Sequence, residues 1–176
     1  LEETGLALGL TGAIDADRAA DARKLALEKG ALAPVLESFG WSLDPAALIP
    51  FARWLPLGLA HDRIFDTRFY LADLGTGAVD VAVDETENTR LFWTSAKDAL
   101  AMAERGEISV IFPTRRNLER LAQFASYDEA RAHAEATPVR TITPEIDESG
   151  PHPVLRIPHD AGYPVTEEIL DSAMRG

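Results

Sequence analysis

The chain has 176 residues, 46% hydrophobic and 26% charged, with a net charge of −12 and a pI near 4.7. That composition belongs to a globular chain with one core of ordinary size, and so acidic a balance argues against wrapping nucleic acid or lying on an anionic membrane, both of which need clustered Lys and Arg. There is no cysteine, which excludes disulfides, thiolate metal sites and cysteine nucleophiles, and no apolar run approaches the ~18 residues of a transmembrane helix.

The first six residues, Leu1-Glu2-Glu3-Thr4-Gly5-Leu6, read as the end of a helix. Mg²⁺ and Mn²⁺ take oxygen ligands, and Glu2 and Glu3 supply two carboxylates side by side. Gly5 suits the left-handed conformation that closes a helix. The same string also fits a solvated helix end. Asp15 then makes an N-cap for a helix to Lys29, with Leu25 and Leu27 as its thin buried stripe and Gly30 as its stop. A short helix over residues 32–39 ends at Gly40, and a helical turn follows Asp44-Pro45. Residues 15–50 read as a helical layer.

Phe51-Ala52-Arg53-Trp54-Leu55-Pro56 is predicted to be a strand, since Pro56 holds Leu55 extended, and a loop over 57–63 carries His61-Asp62-Arg63 at its tip. Residues 65–74 form the clearest strand. Phe65, Thr67, Phe69 and Leu71 fall on one face; Asp66, Arg68, Tyr70 and Ala72 fall on the other. A turn at 75–77 leads to an alternating strand through Val79, Val81 and Val83, and an acidic loop over 84–88 precedes a short strand at 90–93. Thr94 or Ser95 caps a helix over 96–104 with Leu100 inward. Ile108, Val110 and Phe112 alternate as a strand. Thr114 caps a helix over 115–124 with Leu118, Leu121 and Ala122 inward, and Ser126 caps one over 127–136. Extended pieces are expected at 139–143 and 153–157, and a last helix over 166–174 capped by Thr166. Trp41, Trp54 and Trp93 are expected in the core. The four histidines lack zinc-site spacing. The Pro-bounded stretch Ile157-Pro158-His159-Asp160-Ala161-Gly162-Tyr163-Pro164 reads as a rigid loop packing back on the domain or on a second subunit of a homodimer.

Several of these segments stand in a recognisable order. Glu2-Glu3-Thr4-Gly5-Leu6 matches the tail of the Nudix box. Arg53-Trp54-Leu55-Pro56, Ile64-Phe65-Asp66-Thr67-Arg68-Phe69-Tyr70, Trp93-Thr94-Ser95-Ala96, and Pro113-Thr114 with Leu118 and Leu121 follow it. The set, over roughly residues 1–130, resembles one branch of the Nudix hydrolases, that of the mammalian peroxisomal coenzyme A diphosphatases and their bacterial relatives. Ile64 and Ala96 depart from the branch, which has Arg and Pro there. The first half of the box, with one further glutamate ligand, does not precede Leu1. The resemblance therefore implies a chain that begins inside its catalytic helix.

What the resemblance implies is an α/β fold: a Nudix-type α/β/α sandwich with a mixed sheet, incomplete at the N-terminus, with the helical layer at 15–50 as an insert. Residues 1–136 would form the partial Nudix domain and 137–176 a C-terminal extension packing on it. It implies hydrolysis of a nucleoside-diphosphate derivative, with coenzyme A or its thioesters as substrate class and Mg²⁺ or Mn²⁺ as cofactor. Glu2 and Glu3 would be metal ligands, with Glu3 also catalytic. Glu87, with Glu85 as second choice, would be the further carboxylate, against a plain polar loop. Arg53 and Arg68 would clamp phosphate bidentately, against a reading as strand arginines with a carboxylate partner. Asp66 would orient Arg68 or a backbone turn. Arg115 and Arg116 open a helix against its macrodipole, which fits either a phosphate partner or a solvated helix start. No nucleic-acid or membrane partner and a cytoplasmic location are expected. The rival reading keeps a Nudix-like fold as a non-catalytic ligand-binding or dimerisation module.

Overall fold

The structure, a computed structural model, describes residues 1–57, 64–74 and 92–174. It is of the α/β class, with helices and three small sheets among the described residues. The chain divides into two compact units, one of Leu1–Ile49 with Ala72–Trp93 and the other of Pro50–Leu71 with Thr94–Gly176. The strand expected at 79–83, the acidic loop and the His61 loop tip lie outside the described residues.

In the first unit, helix α1 (Ala16–Lys29) starts where Asp15 accepts a hydrogen bond from the Arg18 N–H at 2.8 Å and stops at left-handed Gly30. Its buried positions are Ala22 and Ala26, one turn apart on one face. Leu27, expected in that stripe, is 53% exposed instead, and Leu25 is half-buried. Small side chains let α1 lie close to helix α2 (Ala33–Phe39), whose Val35 is fully buried between them and Trp41. The Trp41 indole N–H donates to the Ala13 carbonyl at 3.0 Å, so its one polar atom is satisfied inside the core. A two-residue ladder joins strand β1 (Leu10–Thr11) antiparallel to β2 (Ser42–Leu43). Trp93 is 60% exposed rather than core.

In the second unit, strand β3 (Ile49–Trp54), whose first residue lies in the first unit, is central, in the order β4-β3-β5 with β4 (Thr67–Leu71) and β5 (Thr141–Ile142). Strands β3 and β5 run parallel, with Arg53 opposite Thr141 and Trp54 opposite Ile142. The strand expected over 65–74 is realised as 67–71, where Phe69 and Leu71 are half-buried and Arg68 and Tyr70 exposed, while Phe65 and Thr67, expected with the apolar face, are exposed. Helix α3 (Ala96–Glu104) is capped by Ser95, and a later helix, α5 (Tyr127–Ala136), by Ser126. Between them, α4 spans Phe112–Leu121 and so begins before the expected Thr114 cap. Residues 108–111 are not a strand, because Pro113 sits in the first helical turn, where its missing N–H has no intrahelical acceptor to lose.

The tail contributes a second sheet. Strand β7 (Val154–Arg156) lies between β6 (Glu145–Asp147) and β8 (Glu167–Ile169), both antiparallel to it. The helix expected over 166–174 is confined to α6 (Leu170–Ala173). Its first turn is lost to the sheet because residues 167–169 pair with β7, setting Glu167 opposite Arg156 and Glu168 opposite Leu155. Cross-strand opposite charges favour that register, and Arg156 Nε reaches Glu167 at 3.3 Å.

Candidate functional site

Residues 1–5 close a single turn. The Gly5 N–H donates to the Leu1 carbonyl at 2.8 Å, and Gly5 has φ 77°. This left-handed closure after an i to i+4 bond is how a helix ends, and a β-carbon at that φ would be strained. Arg23 on α1 caps the turn from outside. Its Nε donates to the Glu2 carbonyl at 2.6 Å and its Nη2 to the Glu3 carbonyl at 3.1 Å. The backbone of both acids is thereby fixed, and both residues are exposed. They are hard oxygen donors of the kind that divalent cations take. Among the described residues, no group of three or more His, Asp or Glu gathers as a metal cluster. Glu85 and Glu87 lie outside the described residues.

The second constellation is on β3 and β4. Arg53 grips Asp66 with both arms of its guanidinium, Nε to Oδ1 at 2.8 Å and Nη2 to Oδ2 at 2.7 Å. Arg68 Nη2 approaches the same Oδ2 at 3.8 Å. The structure thus brings Arg53, Asp66 and Arg68 together, and Asp66 orients Arg53 more closely than Arg68. The Arg53 hydrogen bonds hold the Asp66 carboxyl below its ordinary range, and Asp66 raises Arg53 in return. Two guanidinium groups around one carboxylate leave a local excess of positive charge on a chain of net charge −12. The neighbouring side chains in sequence point the other way, as strand alternation requires. Trp54, Phe65, Thr67 and Phe69 line an apolar cavity of about 430 Å³ together with Ile111 and Phe112.

A third group was not legible in the sequence. Helix α4 buries Arg116, Asn117 and Arg120 alongside Phe112. The expected apolar face, Leu118, Leu121 and Ala122, is only half-buried. Arg116, expected at a solvated helix start or on a phosphate, is 3% exposed. Its Nη2 donates to Glu119 and to Glu168, each at 2.9 Å, and its guanidinium stacks over Phe112 at 5.1 Å. Burial pushes the Glu119 carboxyl up despite that partner and pulls Arg116 down. Arg115 pairs with Glu104 on α3. Arg120 Nη1 donates to the Phe51 carbonyl of β3 at 2.7 Å, and its Nε to His133 Nε2 of α5 at 3.2 Å. The Tyr163 hydroxyl accepts from the Trp54 indole at 3.0 Å and donates to Asn117 Oδ1 at 2.7 Å. The Pro-bounded loop therefore packs back on its own unit, through Tyr163. A spacing signal existed: Phe112, Arg116 and Arg120 recur every fourth residue, a helical face hidden by its charge.

Among the described residues no helix is long and apolar enough to cross a membrane. No protein-family model matches the chain, and no curated protein or solved structure matches it either.

Proposed function

We propose that the protein is a Nudix-type hydrolase that cuts the diphosphate of a nucleoside-diphosphate derivative, with coenzyme A or its thioesters as substrate class, on the α/β/α fold of that family. The observation that carries this reading is the Leu1–Gly5 turn. Its backbone is closed by Gly5 and pinned by Arg23, so Glu2 and Glu3 stand exposed on a fixed turn, where the sequence predicts a helix end. Such a pair fits Mg²⁺ or Mn²⁺, which is commonly held by one or two carboxylates with water and substrate phosphates completing the shell. Glu2 and Glu3 would hold that ion, which when bound supplies polarisation of the diphosphate and a more acidic water.

Arg53 and Arg68 are the phosphate-binding residues of this reading. The fork that Arg53 presents to Asp66 has the geometry by which guanidinium takes phosphate. Phosphate oxygens would replace the Asp66 carboxylate on Arg53, while the more exposed Arg68 offers its donors directly.

The test is an assay of the full-length gene product for Mg²⁺-dependent release of adenosine 3′,5′-bisphosphate from a panel of coenzyme A species. The Glu3→Gln variant is expected to lose more than about a hundredfold in turnover, the upper end for disturbing a metal site's outer partners. An intact fold with no turnover on that panel or on other nucleoside diphosphates would replace the enzyme with a ligand-binding or dimerisation module.

A further inference from the structure

Arg120 is 1% exposed, yet among the described residues no carboxylate pairs with it. Arg116, one turn earlier, has two. The Arg120 partners are neutral: the Phe51 carbonyl, the His133 ring nitrogen, and the faces of Phe51 at 4.1 Å and Tyr163 at 5.3 Å. Burying a cation is costly unless its N–H groups are met, and Arg120 Nη2 is buried without a hydrogen-bond partner among the described residues, so the bonds made by Nη1 and Nε carry its compensation. One of those N–H groups is met by His133 Nε2, and an imidazole nitrogen accepts a hydrogen bond only when it carries no proton. Protonating His133 removes that acceptor and leaves two cations in hydrogen-bond contact in a desolvated place.

We propose that the Arg120–His133 contact is an acid-sensitive clasp, which ties α5 and the Gly162–Tyr163 segment to α4 and to the Phe51 carbonyl of β3, and which opens when His133 takes up a proton. Few groups face His133. From α4 there is Arg120. From the segment before β8 there are the Gly162 backbone and Tyr163, whose ring Arg120 covers. The Phe124 ring lies 4.8 Å away. On α5 itself Glu129 is one turn earlier, but its carboxylate accepts from the Ala125 N–H at 2.8 Å. Burial first, and the Arg120 charge second, hold His133 below its ordinary value, against a backbone hydrogen bond at Gly162. Gly162 packs close against this contact. A β-carbon on Gly162, which has φ 81°, would stand 3.0 Å from His133 Nε2 and 3.2 Å from Arg120 Cζ.

Because the folded value is lowered, the unfolded chain binds the proton first, and stability falls as pH drops below about 6.5. The test measures urea unfolding of the full-length protein from about pH 7.5 to about pH 5.5, a span on both sides of histidine's ordinary value. Wild type is compared with His133→Gln, which keeps an acceptor without titrating. The folding constant of wild type is expected to fall severalfold more than that of the variant. Parallel profiles would overturn the proposal. If His133→Gln does not fold, NMR titration of wild type decides it. The His133 ring should protonate below the ordinary value, together with movement of the Trp54 indole N–H resonance. Protonation at or above that value, with the Trp54 signal unmoved, would overturn it.

Discussion

The two units bury different kinds of surface. The first closes around Ala22, Ala26, Val35 and Trp41, and its cation Arg18 works at the margin, reaching the Ala13 and Phe39 carbonyls. The second closes around Trp54 and Phe112 but also around Arg116, Asn117 and Arg120. An apolar core holds by volume and tolerates substitutions that conserve it. A buried polar cluster holds by direction, since each donor must meet one acceptor and losing either strands the other. The contrast teaches that helix α4 is a positioning device: its arginines set where β3, α5 and the tail stand.

If that contrast is right, truncation should hurt the second core more than the first. Arg116→Ala is expected to cost roughly 3–5 kcal/mol, because it leaves the largely buried carboxylates of Glu119 and Glu168 without their cation. Val35→Ala in the first unit should cost about 1–3 kcal/mol through its cavity alone. Urea unfolding of both variants ranks them, and equal losses would erase the distinction. Tyr163→Phe sharpens it further. It keeps nearly all the volume and removes one hydroxyl, so an apolar core would barely notice. Here the Trp54 indole N–H and Asn117 Oδ1 lose their partner, and we expect about 1–3 kcal/mol, seen as a lower thermal midpoint. The smallest effect should not distinguish the units at all. Asp15→Ala at α1 and Ser126→Ala at α5 each remove one N-cap acceptor and should each cost about 1 kcal/mol, with amide exchange accelerated only in the first turn of the helix concerned.

Helix punctuation was the most legible part of the sequence. Asp15, Ser95 and Ser126 cap the helices expected of them, and Gly30 and Gly40 end theirs. These signals are local, so a single chain carries them whole. The alternation of β4 was legible for the same reason, and with it the shared face of Asp66 and Arg68. Short elements were not. Strands β6 and β8 have three residues each and exist only because β7 lies between them, so Glu167 and Glu168 looked like a helix start when read alone. The charged face of α4 is not legible in the sequence because arginines such as Arg116 and Arg120 ordinarily point to solvent. Only tertiary partners far along the chain reverse that. Of the candidate site, Glu2, Glu3, Arg53 and Arg68 come from the resemblance to the Nudix hydrolases. The bidentate hold of Asp66 on Arg53 depends on a strand neighbour, which spacing alone does not reveal.

The hydrogen bond between Trp54 and Tyr163 joins residues 109 positions apart. Its consequence lies in biosynthesis. The ribosome delivers β3 early, with one edge awaiting β5 and Trp54 awaiting a hydroxyl not yet made. At 5–20 residues per second, the wait is on the order of ten seconds. During that interval an apolar strand stands without its final cover, whereas the first unit's helices, α1 and α2, have each other at once. A newborn chain therefore leaves β3 uncovered for longer than it leaves α1 and α2, until the segment through Tyr163 arrives.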